Sequence, residues 1–224
     1  MMERRMKRKF HVRCEAGENL EITSKSYLSL SDLADLGTVM GNVYHTKEEM
    51  IDCVNAFYEG MVQRSEEMKQ HPNYKTGENY AYLGLPPCFL IFDEYVAFLE
   101  MLTTKESTAL LSQLKKIVML GRQAGYFLIV ACQRPDAKYF SDGIRDNFNF
   151  RVGLGRISEL GYGMLFGSDV KKQFFQKRIK GRGYCDMGTS VISEFYTPLV
   201  PKGHDFLQII GSLAQARQDG TATC

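Results

Sequence analysis

The sequence predicts an α/β protein with a mostly parallel sheet flanked by helices. An apolar run, Cys88-Phe89-Leu90-Ile91-Phe92, stops abruptly at Asp93-Glu94. A second, Phe127-Leu128-Ile129-Val130-Ala131-Cys132, stops at Gln133-Arg134-Pro135. Continuous apolar runs of this length suit strands covered on both faces. Between them, Thr103 to Gln123 has helical spacing, so strand, helix and strand make a βαβ unit with a parallel pair.

Each element has a local reason. Thr46 with Glu49 and Thr103 with Glu106 form capping boxes, which close the exposed amides of a helix start. After the first box, Met50, Val54, Phe57 and Met61 trace one helix face reaching roughly Lys69; after the second, Leu110, Leu114, Ile117 and Leu120 trace another. Both faces are expected to pack into a core. His71-Pro72-Asn73 stops the first helix, and the loop that follows to Pro86-Pro87 is long enough for a functional or mobile insertion. Asp136 to Asn149 is polar and turn-rich, and Arg151 to Leu154 is a short strand. Gly183 to Asp186 and Ser190 to Tyr196 alternate as an antiparallel hairpin around Met187-Gly188. Residues 1–30 show no periodicity and read as a leader, 31–200 as the folded unit, and 201–224 as a tail.

Composition narrows the class. The chain has 224 residues, 44% hydrophobic, enough for one good core with a small appendage. A net charge of +2 gives no whole-molecule attraction to nucleic acid. The cysteines lack zinc-ligand spacing, and Cys53, Cys88 and Cys132 sit in apolar stretches as reduced core thiols. The basic start, Met1 to Lys9, precedes no apolar run of signal-peptide length, and no segment has the length of a membrane span. The expected location is cytoplasmic.

The candidate chemistry lies where the strands end. Asp93-Glu94 reads as a Walker B pair, in which the Asp holds a metal and the Glu activates water; the alternative is a buried strand running into a solvated acidic loop. A parallel βαβ unit places Gln133 at the same carboxyl edge, where open α/β sheets bind ligands and where a Gln can orient a water or sense a γ-phosphate. Lys171 to Arg182 alternates cations with Phe174 and Phe175, as a phosphate-contacting surface or as a solvated face with the aromatics turned inward. Its candidate DNA contacts are Lys171, Lys172, Lys177 and Arg178.

Taken in order, several segments resemble the motor domain of FtsK/SpoIIIE-type DNA translocases, particularly the shorter relatives on conjugative and integrative elements of Gram-positive bacteria. Phe89 to Glu94 is similar to the family Walker B, Val130 to Pro135 to its strand ending in Gln-Arg-Pro, and Ile144 to Val152 to its Ile-Lys-Ala-Asn segment with the following Arg-bearing strand. Gly181-Arg182-Gly183-Tyr184 resembles its late Gly-rich hairpin, and Ser31 to Leu36 an earlier segment. The resemblance implies a RecA-like P-loop NTPase core that uses ATP and Mg²⁺. It implies that Asp93 holds Mg²⁺, Glu94 polarises the attacking water, Gln133 couples the γ-phosphate to movement, and Arg151 acts in trans across a hexameric, homo-oligomeric ring on double-stranded DNA. Arg134, Arg145 and Arg156 are the other candidate cations.

One family element is missing from the sequence. No G-x-x-x-x-G-K-[ST] occurs in the chain; the nearest string, Asn19 to Ser26, has neither glycine, and glycine is what lets a backbone wrap phosphate. The core is therefore expected to be incomplete at its N-terminal βα unit. The chain reads as part of a translocase that is inactive alone, with a possible upstream polypeptide supplying the Walker A loop. The alternatives are a non-catalytic DNA-binding or assembly module and an inert truncated product.

Overall fold

The computed structural model describes residues 43–218 except 134, 137, 141, 156, 169, 171–173, 175–178, 180, 190 and 199. The expected leader, the Asn19 to Ser26 string, Ser31 to Leu36, Arg134, Arg156, Phe175 and the cations Lys171, Lys172, Lys177 and Arg178 lie outside the described residues.

The first region is built from helix α1 (Lys47–Gln70), strand β1 (Cys88–Phe92), helix α2 (Tyr95–Glu100), helix α3 (Thr104–Ala124), strand β2 (Tyr126–Val130) and the short helix α4 (Asp142–Arg145). Both capping boxes form: the Thr46 and Thr103 side chains accept from the amides of Glu49 and Glu106, whose carboxylates reach back to the capping amides. β1 and β2 pair in parallel, Cys88 opposite Tyr126 and Phe92 opposite Val130. Val54, Phe57 and Met61 of α1 and Leu110, Leu114 and Ile117 of α3 close over Cys88, Leu90, Phe92 and Tyr126 in one core.

The α3 seam departs from expectation at its end. Leu120 is 59% exposed, and Gly121 and Ala124 take the buried places instead. The reason is the tight return into β2. A Cβ at position 121 would run into the Tyr126 carbonyl, so only glycine lets the helix lie this close to the strand. α3 then ends on Gly125 in the left-handed conformation.

The amino edge of this sheet is fastened. The Arg64 guanidinium donates to the Pro86 carbonyl at 2.7 Å and the Ala124 carbonyl at 3.4 Å, and lies 4.8 Å above the Tyr126 ring. The long loop after α1 returns to the same edge: the Tyr80 amide donates to the Gln123 carbonyl at 3.0 Å, and its ring sits edge-on to Phe127.

The second region is an antiparallel sheet in the order β3 (Arg151–Leu154), β4 (Arg182–Asp186), β5 (Ile192–Tyr196), with helix α5 (Glu159–Phe166) against β3. The hairpin extends the expected one by taking in β3. Its own core is Tyr162, Phe166, Tyr184 and Ile192. Phe174 stacks on Tyr162 at 4.1 Å and meets Tyr184 edge-on at 5.1 Å, so this aromatic of the basic run turns inward. Helix α6 (Phe206–Gln218) lies in the segment expected as a tail. No described helix is long and apolar enough to cross a membrane.

Candidate functional site at the carboxyl edge of the parallel pair

Parallel pairing fixes where β1 and β2 deliver the residues that follow them. The Ala131 amide donates to the Phe92 carbonyl at 2.8 Å, and the Tyr95 amide donates back to the Ala131 carbonyl at 3.1 Å. These two bonds bring the Asp93-Glu94 turn and the Cys132-Gln133 turn to one edge, as the βαβ reading predicts. Asp93 is half-buried there, while Glu94 and Gln133 are exposed.

Glu94 has φ 55° and ψ 45°, the only described non-glycine residue with positive φ. A left-handed L-residue costs about 1–2 kcal/mol, and such strain persists where the surroundings over-determine it, often at functional sites. Here the turn must leave β1 and start α2 within two residues, Asp93 and Glu94.

A second set of contacts ties α2 to the loop beyond Gln133. The Tyr95 hydroxyl donates to the Tyr139 carbonyl at 3.4 Å, and its ring packs on Phe140 at 4.9 Å and Phe92 at 5.7 Å. At the other end of α2, Glu100 accepts from Lys138 at 2.8 Å and from the Tyr139 hydroxyl. The Lys138 ammonium, and then the Tyr139 hydroxyl, hold the Glu100 carboxyl below its usual range; Glu100 in turn raises Lys138. Burial pushes the Tyr95 phenol up, so it stays a neutral donor at ordinary pH. These residues carry no local sequence signal, because their partners lie about forty positions away.

Arg151 stands in the other sheet, paired opposite Asp186. Its Nε donates to the Phe148 carbonyl at 2.8 Å and its Nη1 to the Leu165 carbonyl at 3.2 Å, which satisfies the last turn of α5. The guanidinium is thus half-buried and held within its own chain. Arg145, at the end of α4, lies 3.8 Å from the Asp146 carboxylate. Cys88 and Cys185 are buried and Cys53 and Cys132 half-buried, and burial raises the Cys53 thiol to about 11.

The donor set suits Mg²⁺ better than a softer metal. Mg²⁺ is a hard cation held by one or two carboxylates with phosphate and water oxygens completing the shell, and Asp93 offers such a carboxylate. No cluster of three His, Cys, Asp or Glu occurs among the described residues.

No protein-family profile matches the chain. An FtsK domain-containing protein, YdcQ of Bacillus subtilis (strain 168), is 54% identical over 194 residues, 86% of this chain. The chain is homologous to this FtsK domain-containing protein. It spans 40% of the length of that relative. Three solved structures share the fold of this chain in part. The cytoplasmic domain of the Thermomonospora curvata type VII secretion ATPase EccC has a TM-score of 0.53 at 19% identity, over 76% of this chain and 21% of that one. The pCW3 conjugation coupling protein TcpA has 0.51 at 17%, over 71% and 49%. EssC (ATPases 2 and 3) from Geobacillus thermodenitrificans has 0.51 at 15%, over 78% and 32%. The α/β fold is shared in part with these ATPase structures.

Proposed function

We propose that this chain is the Walker B portion of an ATP-driven double-stranded DNA translocase, acting in DNA transfer or segregation. The observation that carries the reading is the joint delivery of Asp93, Glu94 and Gln133 to one sheet edge, with Glu94 in a strained turn. Asp93 holds Mg²⁺. Glu94, exposed at the turn, takes the proton of the attacking water. Gln133, on the paired strand, senses the γ-phosphate. The fold itself is neutral between polymer substrates, since secretion ATPases share it; DNA is favoured by the FtsK-domain relative and by the basic run around Phe174.

The chain alone is a poor ATP binder on this reading. Its sequence holds no G-x-x-x-x-G-K-[ST], and without a nest of amides and its Lys a triphosphate loses its main anchor. Titration calorimetry with Mg-ATP is expected to give no micromolar binding; such binding would overturn this part. Joined to a phosphate-loop unit from an FtsK-domain relative, the chain is expected to gain Mg-dependent hydrolysis, and Glu94→Gln in that fusion to lower turnover by about 100-fold or more. Turnover indifferent to Glu94→Gln would remove Glu94 from the reaction.

The DNA contacts are assigned to Lys171, Lys172, Lys177 and Arg178, which track phosphates independently of sequence. Binding to random duplex should weaken steeply with salt, by a slope of about −0.9 per contact. Changing all four to Ser should flatten that slope in fluorescence anisotropy. One observation favours the second reading, a non-catalytic assembly module: Arg151 is engaged by two carbonyls of its own chain. To serve a neighbouring subunit in a ring, it has to leave them.

A further inference from the structure

We infer that Tyr95 is a positioning residue that locks the Glu94 turn to the loop beyond Gln133, so that the two halves of the edge move as one piece. The inference rests on the reading of this edge as a nucleotide site. It adds a coupling element that no motif marks.

Three contacts of different kind converge on this residue. Its amide bonds the Ala131 carbonyl across the strand pair at 3.1 Å, which fixes the residue next to Glu94 and leaves the left-handed turn no room to relax. Its ring, 1% exposed, fills the space between Phe92 at the end of β1 and Phe140. Its hydroxyl bonds the Tyr139 carbonyl at 3.4 Å. The Tyr139 segment is a tight turn, with the amides of Tyr139 and Phe140 both donating to the Asp136 carbonyl at 2.9 and 3.1 Å.

Glu100 grips the same turn through Lys138 and the Tyr139 hydroxyl. α2 therefore holds the loop at two points, one at each end, and one of them adjoins Glu94. A movement of the Tyr139 turn is passed to Tyr95 through the hydroxyl bond, and Tyr95 adjoins Glu94. Phenylalanine could fill the same volume but could not make the hydroxyl bond, so the hydroxyl is what separates a lock from a plain core residue.

Tyr95→Phe in the full chain tests this without nucleotide, because it keeps the ring and the amide. Hydrogen exchange should quicken roughly fivefold at the Tyr139 and Phe140 amides, the scale of one ordinary hydrogen bond. Exchange in α1 and α3 should stay unchanged, and the amide resonances of Glu94 and Gln133 should shift together. Glu100→Gln, a change at an exposed position that leaves the core intact, should quicken the same two amides from the other end. Unchanged exchange at Tyr139 and Phe140 in Tyr95→Phe would overturn the lock. A uniform rise that includes α1 and α3 would also overturn it, reducing Tyr95 to core packing. Neither result bears on whether the edge binds nucleotide, which the calorimetry reads separately.

Discussion

The parallel and antiparallel regions reach stability by different routes. In the first, two long helices with capping boxes lay regular apolar seams over a strand pair, and most contacts on each seam follow from spacing along one element. In the second, three short strands and an eight-residue helix close around Tyr162, Phe166, Phe174 and Tyr184, and the packing depends on rings and glycines from separate segments. The first kind of core is periodic; the second is a matter of shape.

The largest expected effect breaks the periodic core. Leu114 is 1% exposed at the middle of the α3 seam, so Leu114→Ala should cost about 3 kcal/mol, by lost burial and a residual cavity. Denaturant unfolding gives the loss, and hydrogen exchange shows where it falls. Protection in β3, β4 and β5 should drop less than in β1 and β2. An equal drop would show that the two regions unfold as one cooperative unit.

The matching test in the other region is Gly183→Ala. A Cβ there would meet the backbone of Gly153 and Leu154 on the neighbouring strand, and backbone cannot step aside as a flexible side chain can. We expect about 2 kcal/mol and a loss of protection centred on β3 and β4. A neutral result would mean that this region tolerates volume as loosely as a surface does.

A smaller change runs the other way. Glu94→Gly removes the left-handed strain and should raise stability by up to about 1 kcal/mol, read as a higher denaturation midpoint. A loss instead would show that the Glu94 side chain anchors the turn.

The smallest effect concerns acid. Bonds from the Thr103 amide and hydroxyl, and then from Lys47, hold the Glu106 carboxyl down from 4.5 to about 2. A depressed folded pKa means that the unfolded chain binds the extra proton first, so the stabilisation is present above pH 4.5 and is lost as pH falls toward 2. Glu106→Gln should flatten the decline of melting temperature across that window. An unchanged slope would assign acid lability to other carboxylates.

Legibility in the sequence follows the same divide. Both capping boxes, the α1 and α3 faces, both strands of the βαβ unit and the hairpin were readable, because each depends on neighbours within a few residues. The α3 face failed at Leu120, where the approach of Tyr126 decides the matter and spacing does not. The Asp93, Glu94 and Gln133 edge was readable through the rule that parallel strands present their carboxyl ends together. Tyr95, Glu100 and Tyr139 were not: an aromatic after two acids looks like any helix start, and its partner lies 44 positions away. The Leu165 carbonyl partner of Arg151 was hidden for a similar reason, since Leu165 belongs to the next helix.

Arg64 gives the parallel pair a mechanical character. Its guanidinium joins the strand beginnings at Pro86 and Ala124 and covers Tyr126, while the carbonyl-to-amide bond between Gly125 and Cys88, 2.7 Å long, closes the same end. The pair is a cantilever. Clamped at its root and bonded across its tip, it resists sliding of one strand past the other, so a push on its far end reaches the Asp93-Glu94 and Cys132-Gln133 turns together.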